Sequence, residues 1–193
     1  MKPSPIEIFK HWFDEEMSVT KVAIPTACCL STIGLDGYPN ARFVSLKGIV
    51  GNNFIITGTL RSRKGLEIHE TNKVALTFWW AETERQIRVQ GDATAISTAL
   101  ADRYFAERNR DSQIVSIVSH QGQVLHDSEE LHQRYHEIEA NSAHQPLARP
   151  DHWGGYSIEP IRIEFLEFST SRFHNRTLYQ LTNGQWATTD LQP

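Results

Sequence analysis

The order of strand-like and helix-like segments is the feature that most constrains the fold of this chain. Apolar runs of strand length, each followed by a turn signal, occupy residues 27–33, 40–50, 54–57, 73–80 and 85–96. The periodicity becomes helical over residues 97–140, and strand patterns return at residues 156–168, 176–181 and 185–188. Strands in a meander, then helices, then returning strands predict an α+β fold with an antiparallel sheet or barrel. We predict one domain over residues 1–193.

Capping residues mark the predicted helices. Ser4 can cap a helix that begins at Pro5 and ends at about Val19, with an apolar stripe on one face. A short helix is predicted over residues 63–71. Three more are predicted to begin near Ser97, Asp111 and Asp127.

Charge and cysteine content narrow the classes of function. The net charge of −4 argues against general binding of nucleic acids. The only cysteines are the neighbours Cys28 and Cys29, which exclude a disulfide framework and suit a reducing cytoplasm. No apolar run approaches the roughly 18 residues that a membrane-spanning helix needs. We therefore predict a cytoplasmic protein.

A basic cluster lies near the C-terminus. If the strand at residues 156–168 continues, Arg172, His174 and Arg176 project from one face, since alternate residues of a strand share a face. Such a cluster is suited to an anion such as phosphate, which arginine binds through charge-assisted hydrogen bonds. A solvated edge strand whose cations pair with Glu164 or Glu167 is the alternative, and both interpretations stay open.

Three further groups could bind anions. Arg61-Ser62-Arg63-Lys64 stands at the start of a predicted helix, where free N–H groups attract anions. Arg42 and Lys47 face opposite sides of a regular strand, so they serve one ligand only if the strand bends; a buried ion pair is the alternative. The third group could bind a ring-bearing phosphate or lie at a solvated helix end, and it comprises Tyr104, Arg108, Arg110 and Ser112.

Other chemistries find little support in the sequence. There is no P-loop, no Gly-x-Gly-x-x-Gly and no Gly-x-Ser-x-Gly motif. His126, His132 and His136 lie on or near a polar helix without cysteine or paired carboxylate ligands. We predict no metal site.

These groups together carry a family resemblance. The chain resembles the pyridoxamine (pyridoxine) 5′-phosphate oxidases nearly from end to end, through six blocks in the same order. The blocks are Arg42-Phe-Val-Ser-Leu-Lys47, Ser62-Arg63-Lys64, Glu84-Arg85-Gln86, Tyr104-Phe-x-x-Arg108-x-Arg110-Asp111-Ser112-Gln113, Trp153-Gly154-Gly155 and Arg172-Phe-His174-Asn-Arg176.

The resemblance implies a split β-barrel homodimer that holds FMN at the subunit interface, with a C-terminal dimerisation region over about residues 150–193. It implies that the flavin phosphate is bound by Arg63 and Lys64, helped by Arg42 and Ser62. Further implied flavin-binding positions are Lys47, Thr57, Gly58, Gln86, Gln121, Gly122, Leu166 and Arg176. The implied grip on the substrate phosphate consists of Lys47, Tyr104, Arg108 and Ser112, while Arg172 and His174 cover the pyridine ring.

The implied activity is oxidation of pyridoxamine or pyridoxine 5′-phosphate to pyridoxal 5′-phosphate by hydride transfer to the flavin, with oxygen as acceptor and peroxide as product. Arg172 and His174 are the implied catalytic residues. Thr57-Gly58, Gly122 and Leu166 depart from the family's usual residues. Two alternatives therefore remain: a related flavin oxidase acting on another ring, such as a phenazine precursor, and a non-catalytic protein that binds FMN or pyridoxal phosphate.

Overall fold

The computed structural model describes residues 3–142 and 145–193, whose strands form one antiparallel sheet. The sheet consists of β1 (Ala27–Ile33), β2 (Pro39–Val50), β3 (Asn53–Thr59), β4 (Lys73–Trp80), β5 (Arg85–Ala95), β6 (Trp153–Glu167), β7 (Asn175–Thr182) and β8 (Gln185–Asp190). The strand order is β3-β2-β1-β4-β5-β6-β7-β8, and β3 also pairs with β6. That additional pairing closes the first six strands into a barrel without free edges. The predicted antiparallel barrel is confirmed.

Helices flank the barrel. The described residues contain α1 (Pro5–Val19), α2 (Arg63–Glu70), α3 (Thr98–Ala106), α4 (Arg110–Val118) and α5 (Ser128–Asn141). Ser4 and Glu7 form a reciprocal capping box at the start of α1, as Ser4 predicted. The helix α4 begins slightly earlier than predicted, because the Asn109 side chain accepts a hydrogen bond from the backbone N–H of Ser112. No helix in the described ranges is long and apolar enough to cross a membrane.

The hydrophobic core lies inside the barrel and under α1. Phe9 is 1% exposed, and its ring lies 4.8 Å from the ring of Phe54 and 5.0 Å from that of Phe78. Burying a side chain of this size contributes about 1.5–3 kcal/mol to stability. The apolar stripe predicted for the first helix therefore anchors α1 to the barrel.

Two local features of the barrel position the candidate site. The register between β2 and β3 shifts between Leu46 and Gly48, so Lys47 lies in a β-bulge. At the corner between β3 and α2, a Cβ atom on Gly65 would lie 2.1 Å from the carbonyl oxygen of Leu60. Only glycine allows this close approach, which brings the start of α2 against the end of β3.

The segment after β6 corrects one prediction. β6 ends at Glu167, and Arg172 and His174 lie in the loop before β7 rather than on a continuing strand. The backbone N–H of Arg172 bonds to the carbonyl of Ser169, and the N–H of Ser169 bonds to Nδ1 of His174. These local bonds replace the ladder of a strand, and Arg172 adopts a left-handed conformation with φ of 67°. Arg172, His174 and Arg176 therefore do not form one strand face.

Candidate functional site

A cavity of about 420 Å³ opens between the barrel and α4. The strands β2 and β3 supply one wall, α4 the other, and Lys64 enters from α2. Its lining residues are Phe43, Val44, Ser45, Lys47, Thr57, Gly58, Thr59, Lys64, Arg108, Val115, Ser116, Ser119, Gln121 and Trp153.

The cavity carries an excess of positive charge. Its lining includes Lys47, Lys64 and Arg108, and no lining residue is an aspartate or glutamate. Burial lowers the pKa of Lys47, and the nearby charge of Arg108 lowers it further. The charge of Glu107, which does not line the cavity, offsets this lowering in part. Like charges that meet in a cavity lined by no carboxylate favour an anionic ligand.

Arg108 is held in place by groups that leave its charge uncompensated. Its Nη2 donates to the carbonyl of Ser112 at 3.2 Å and to Oγ of Ser116 at 3.4 Å. The guanidinium lies over the Trp153 ring, 5.2 Å from the centroid, and its buried Nε has no hydrogen-bond partner among the described residues. Burial also lowers the pKa of Arg108. A bound anion would satisfy both the charge and the unpaired donor.

Lys64 lies at the β3 side of the cavity. Its Nζ donates to Oγ of Ser62 at 3.1 Å and to Oε1 of Gln121 at 3.0 Å. Burial lowers the pKa of Lys64, and the charge of Arg42 adds to this effect. Nearby, Oγ1 of Thr57 is buried without a hydrogen-bond partner in the described part of the chain. An acceptor and a charge at this end of the cavity are both available to a ligand.

Arg42 and Arg63 meet at a buried carboxylate behind this wall. Glu67 of α2 accepts from Nη2 of Arg42 and from Nε of Arg63, at 2.8 Å in each case. Burial alone would raise the pKa of Glu67, but hydrogen bonds from Thr32, Asn40 and these two arginines lower it to about 2. The buried ion pair, which was one of the two interpretations for Arg42, is therefore present.

The remaining predicted residues do not line the main cavity. Tyr104 packs in a buried cluster with Ile55, Phe105 and Trp153, and Ser112 supplies the carbonyl that holds Arg108. Gly122 lines an adjacent cavity of about 370 Å³ together with Arg63 and Gln121. Ser62 is buried at the N-cap position of α2, where its Oγ donates to the carbonyl of Thr59 at 2.8 Å instead of capping the helix.

A second group of predicted residues lies on the neighbouring strands β5, β6 and β7 and on the loop before β7. Gln86 of β5 pairs with Leu166 of β6, which pairs in turn with Arg176 of β7. Nε of Arg176 donates to Glu164 at 2.7 Å, the pairing that the sequence left open. Arg172 and His174 lie in the loop immediately before β7. No member of this group lines the cavity, so one chain holds the predicted site in two separate parts.

Several cavity residues were not identified from the sequence. Ser116 is the clearest case, because its Oγ contacts Arg108 and its side chain lines the cavity. It follows Ser112 by four residues on α4, so helical spacing could have identified it. Three others, Phe43, Val44 and Ser45, lie in the first family block but were assigned no role. The rest carry no sequence signal of their own, and they are Thr59, Val115 and Ser119. The described residues contain no cluster of three or more side chains that could hold a metal ion.

Comparison with known proteins places this arrangement in a family. Residues 15–142 match the profile of the family described as pyridoxamine 5′-phosphate oxidase. The chain belongs to the pyridoxamine 5′-phosphate oxidase family. Residues 153–193 match the profile described as the pyridoxine 5′-phosphate oxidase C-terminal dimerisation region, which supports the predicted homodimer.

Relatives named pyridoxine/pyridoxamine 5′-phosphate oxidase align with nearly the whole chain. The protein of Acaryochloris marina is 38% identical over 190 residues, covering 98% of this chain and 86% of that relative. The protein of Rubrobacter xylanophilus is 40% identical over 191 residues, covering 99% of this chain and 88% of that relative. These relatives support an oxidase activity.

Two solved structures share the fold. PhzG from Burkholderia lata 383, in complex with tetrahydrophenazine-1-carboxylic acid, is 33% identical with a TM-score of 0.92, covering 100% of this chain and 94% of that one. A pyridoxamine 5′-phosphate oxidase-related, FMN-binding protein from Nostoc punctiforme is 18% identical with a TM-score of 0.81, and both chains are covered completely. The split barrel predicted for this family member is confirmed.

Proposed function

We propose that this chain is an FMN-dependent oxidase that converts pyridoxamine 5′-phosphate or pyridoxine 5′-phosphate to pyridoxal 5′-phosphate. Oxygen is the electron acceptor and hydrogen peroxide a product, and the amine reaction also consumes water and releases ammonia. The observation that carries the proposal is one cavity with Lys47 and Arg108 as one anion-binding group, Lys64 as another, and no carboxylate in its lining. A reaction between a phosphorylated substrate and a phosphorylated cofactor needs two such groups.

The residues around Lys64 fit the cofactor. Lys64, Ser62, Arg63 and Arg42 would hold the FMN phosphate at the start of α2, where backbone N–H groups add to the attraction. The unpaired Oγ1 of Thr57 would find a polar partner on the ligand. Other residues that would contact the flavin are Lys47, Gly58, Gln121 and Gly122. Bound FMN supplies the redox chemistry, as acceptor of a hydride from the C4′ carbon and donor of electrons to oxygen.

The substrate phosphate is assigned to Lys47 and Arg108. The β-bulge turns Lys47 into the cavity, and the contacts with α4 and Trp153 hold Arg108 ready for a phosphate. Ser112 acts through the carbonyl that orients Arg108, and Tyr104 through the packing that supports Trp153. Such preorganisation reduces the entropy lost when the substrate binds.

The second group of site residues is assigned to the partner subunit of a homodimer. Gln86, Leu166 and Arg176 form one row across three strands, beside the loop that carries Arg172 and His174. A two-fold dimer that places this group of one chain over the cavity of the other would complete two equivalent sites. FMN would then lie at the interface.

His174 and Arg172 would act on the substrate ring. Nδ1 of His174 accepts a hydrogen bond from the backbone N–H of Ser169, so the neutral ring carries its proton on Nε2. The Nε2–H group can donate a hydrogen bond to an oxygen or nitrogen of the substrate near C4′ and so orient that group for loss of hydride. Arg172 would contribute a fixed positive charge on the same loop, and its role is to orient the ring.

A phenazine precursor is the second candidate substrate. The structural similarity to PhzG, whose complex contains a tricyclic carboxylic acid, favours this possibility. The paired cations Lys47 and Arg108 favour the phosphorylated substrate instead, since a doubly charged phosphate suits two adjacent cations. A non-catalytic flavin-binding protein is the remaining alternative.

A direct assay tests the proposed function. The purified chain supplied with FMN should be yellow, and under air it should form equal amounts of pyridoxal 5′-phosphate and peroxide from pyridoxamine 5′-phosphate. Unphosphorylated pyridoxamine serves as the matched control and should react far more slowly, because it cannot use Lys47 and Arg108. A flavin-loaded protein that releases no peroxide with either phosphorylated substrate would contradict the proposal and favour a binding protein.

As the pH is raised, substrate binding should begin to weaken at a lower pH than the pKa of an ordinary lysine predicts. Burial and the charge of Arg108 lower the pKa of Lys47 from the usual 10.5, and the charge of Glu107 offsets this only in part. Only the charged ammonium attracts phosphate, so affinity falls as the pH rises through this lowered pKa. The KM for pyridoxamine 5′-phosphate, measured over the alkaline range, should rise accordingly. Lys47→Arg keeps its charge and should flatten that rise; identical profiles for the two proteins would refute the assignment.

A further inference from the structure

The buried carboxylate of Glu67 has no role in the function proposed so far. We propose that Glu67 is a positioning residue that holds Arg42 and Arg63 ready for the phosphate of the cofactor. The inference rests on the proposed function, because it assumes that FMN binds at the start of α2. It concerns a residue that would not itself touch the flavin.

Glu67 ties together three elements around the predicted phosphate site. Its side chain is fully buried, and each carboxylate oxygen accepts two hydrogen bonds. Oε1 accepts from Asn40 at 2.7 Å and from Arg63 at 2.8 Å, while Oε2 accepts from Thr32 at 2.6 Å and from Arg42 at 2.8 Å. Because the acceptor capacity of the carboxylate is filled, the positions of both guanidinium groups are fixed.

The network leaves donors for a ligand. Within the described residues, Arg42 bonds only to Thr32 and Glu67, and Arg63 only to Glu67 and Asp36. Each guanidinium has five N–H groups, so at least three remain on each. Arg63 lines the adjacent cavity of about 370 Å³ together with Gln121, and Gln121 also contacts Lys64. The remaining donors are therefore close to the cation that lines the main cavity.

Electrostatics give Glu67 a second effect. Arg42, Arg63 and Lys64 converge at the start of α2, and the charge of Arg42 already lowers the pKa of Lys64. Without a carboxylate among them, these cations would repel each other and turn toward water. Glu67 lies four residues after Arg63 on the same helix, lines neither cavity, and offsets this repulsion by its negative charge.

The selectivity for FMN over riboflavin separates positioning from a purely structural role. The two ligands differ only in the phosphate, so the ratio of their dissociation constants measures how much the bonds to the phosphate contribute to binding. The full chain, freed of flavin, is titrated with FMN and with riboflavin, and binding is followed by flavin fluorescence. Glu67→Gln should lower the preference for FMN by roughly tenfold, the loss expected for one charge-assisted bond. Its affinity for riboflavin should remain close to that of the original chain.

Asp92→Asn is the matched control, because it also removes a paired carboxylate, but its partner is the exposed Lys73 and Asp92 lines neither cavity. Surface pairs contribute little, so the preference for FMN should change less than twofold. Thr32→Val provides a second test if Glu67→Gln does not fold, since it removes one donor to Glu67 and should lower the preference by about threefold.

The outcomes separate the two proposals. An unchanged or increased preference for FMN in Glu67→Gln, or in Thr32→Val where it is needed, overturns the role of Glu67 alone. Equal losses of affinity for FMN and riboflavin also overturn it, because they indicate a structural role. If the unsubstituted chain does not prefer FMN over riboflavin, the proposed function fails and the inference fails with it.

Discussion

Arg108→Ala should lower kcat/KM for pyridoxamine 5′-phosphate by roughly a hundredfold or more, the expected loss of two charge-assisted bonds to phosphate. Arg108 is partly buried against Trp153, and its Nε has no partner among the described residues. Low polarity around the guanidinium makes its bonds to phosphate stronger than bonds at a solvated surface. The flavin content of the purified protein should change little, because Lys64 is the cation assigned to the cofactor.

Arg134→Ala is the matched control for this experiment. Arg134 lies on α5, is exposed and does not line the cavity, so its loss should leave turnover unchanged. Steady-state kinetics with phosphorylated and unphosphorylated pyridoxamine measure the effect. Arg108→Ala should reduce the preference for the phosphorylated amine. Equal losses on both amines would mean that Arg108 supports the fold rather than the phosphate.

The barrel was largely predictable because its signals are local. Alternation of apolar residues identified the strands, and turn residues such as Gly37, Gly51 and Gly184 have the positive φ angles that favour glycine. Closure of the barrel was not determined by such signals. It depends on pairing between β3 and the distant β6. The order of strands left an open sheet and a barrel as alternatives, and only the family resemblance implied the barrel.

The residue types of the candidate site could be predicted from the sequence, but the division of these residues into two separate groups could not. The basic clusters were recognisable in the sequence because the chain as a whole has a net charge of −4. Whether each cation is free or paired depends on distant residues: Glu67 pairs Arg42, whereas the lining of the cavity gives Lys47 no carboxylate. The bulge at Lys47 also requires knowledge of the pairing with β3, since a strand pattern gives only alternation.

The C-terminal cluster shows how a local rule can fail. Strand alternation placed Arg172 and His174 with Arg176, but bonds from Ser169 turn the chain before β7 begins. Serines at positions 169 and 171 favour such side-chain and backbone bonds over a ladder. Arg172, His174 and Arg176 are therefore close in sequence without sharing a strand face. Their proposed role requires a second copy of the chain, whose cavity they would cover.

Mixing two inactive variants should restore activity if the site is shared between subunits. Arg108→Ala removes a residue of the cavity, and Arg172→Ala removes a residue of the group assigned to the partner. In a mixed dimer one site carries both substitutions and the other carries neither. Random pairing makes about half of the dimers mixed, so about a quarter of the sites should be intact.

The measurement is peroxide release after the two variants are expressed together or unfolded and refolded as a mixture. The control mixture is Arg108→Ala with Lys47→Ala, both in the cavity group, and it should stay inactive because every site then lacks one of the two cations. Each variant alone should retain its fold and its dimeric state, which sedimentation verifies. Recovery to about a quarter of the original activity in the first mixture alone supports an active site built from two chains. No recovery, with mixed dimers demonstrably present, would place Arg172 in the site of its own chain or outside the site altogether.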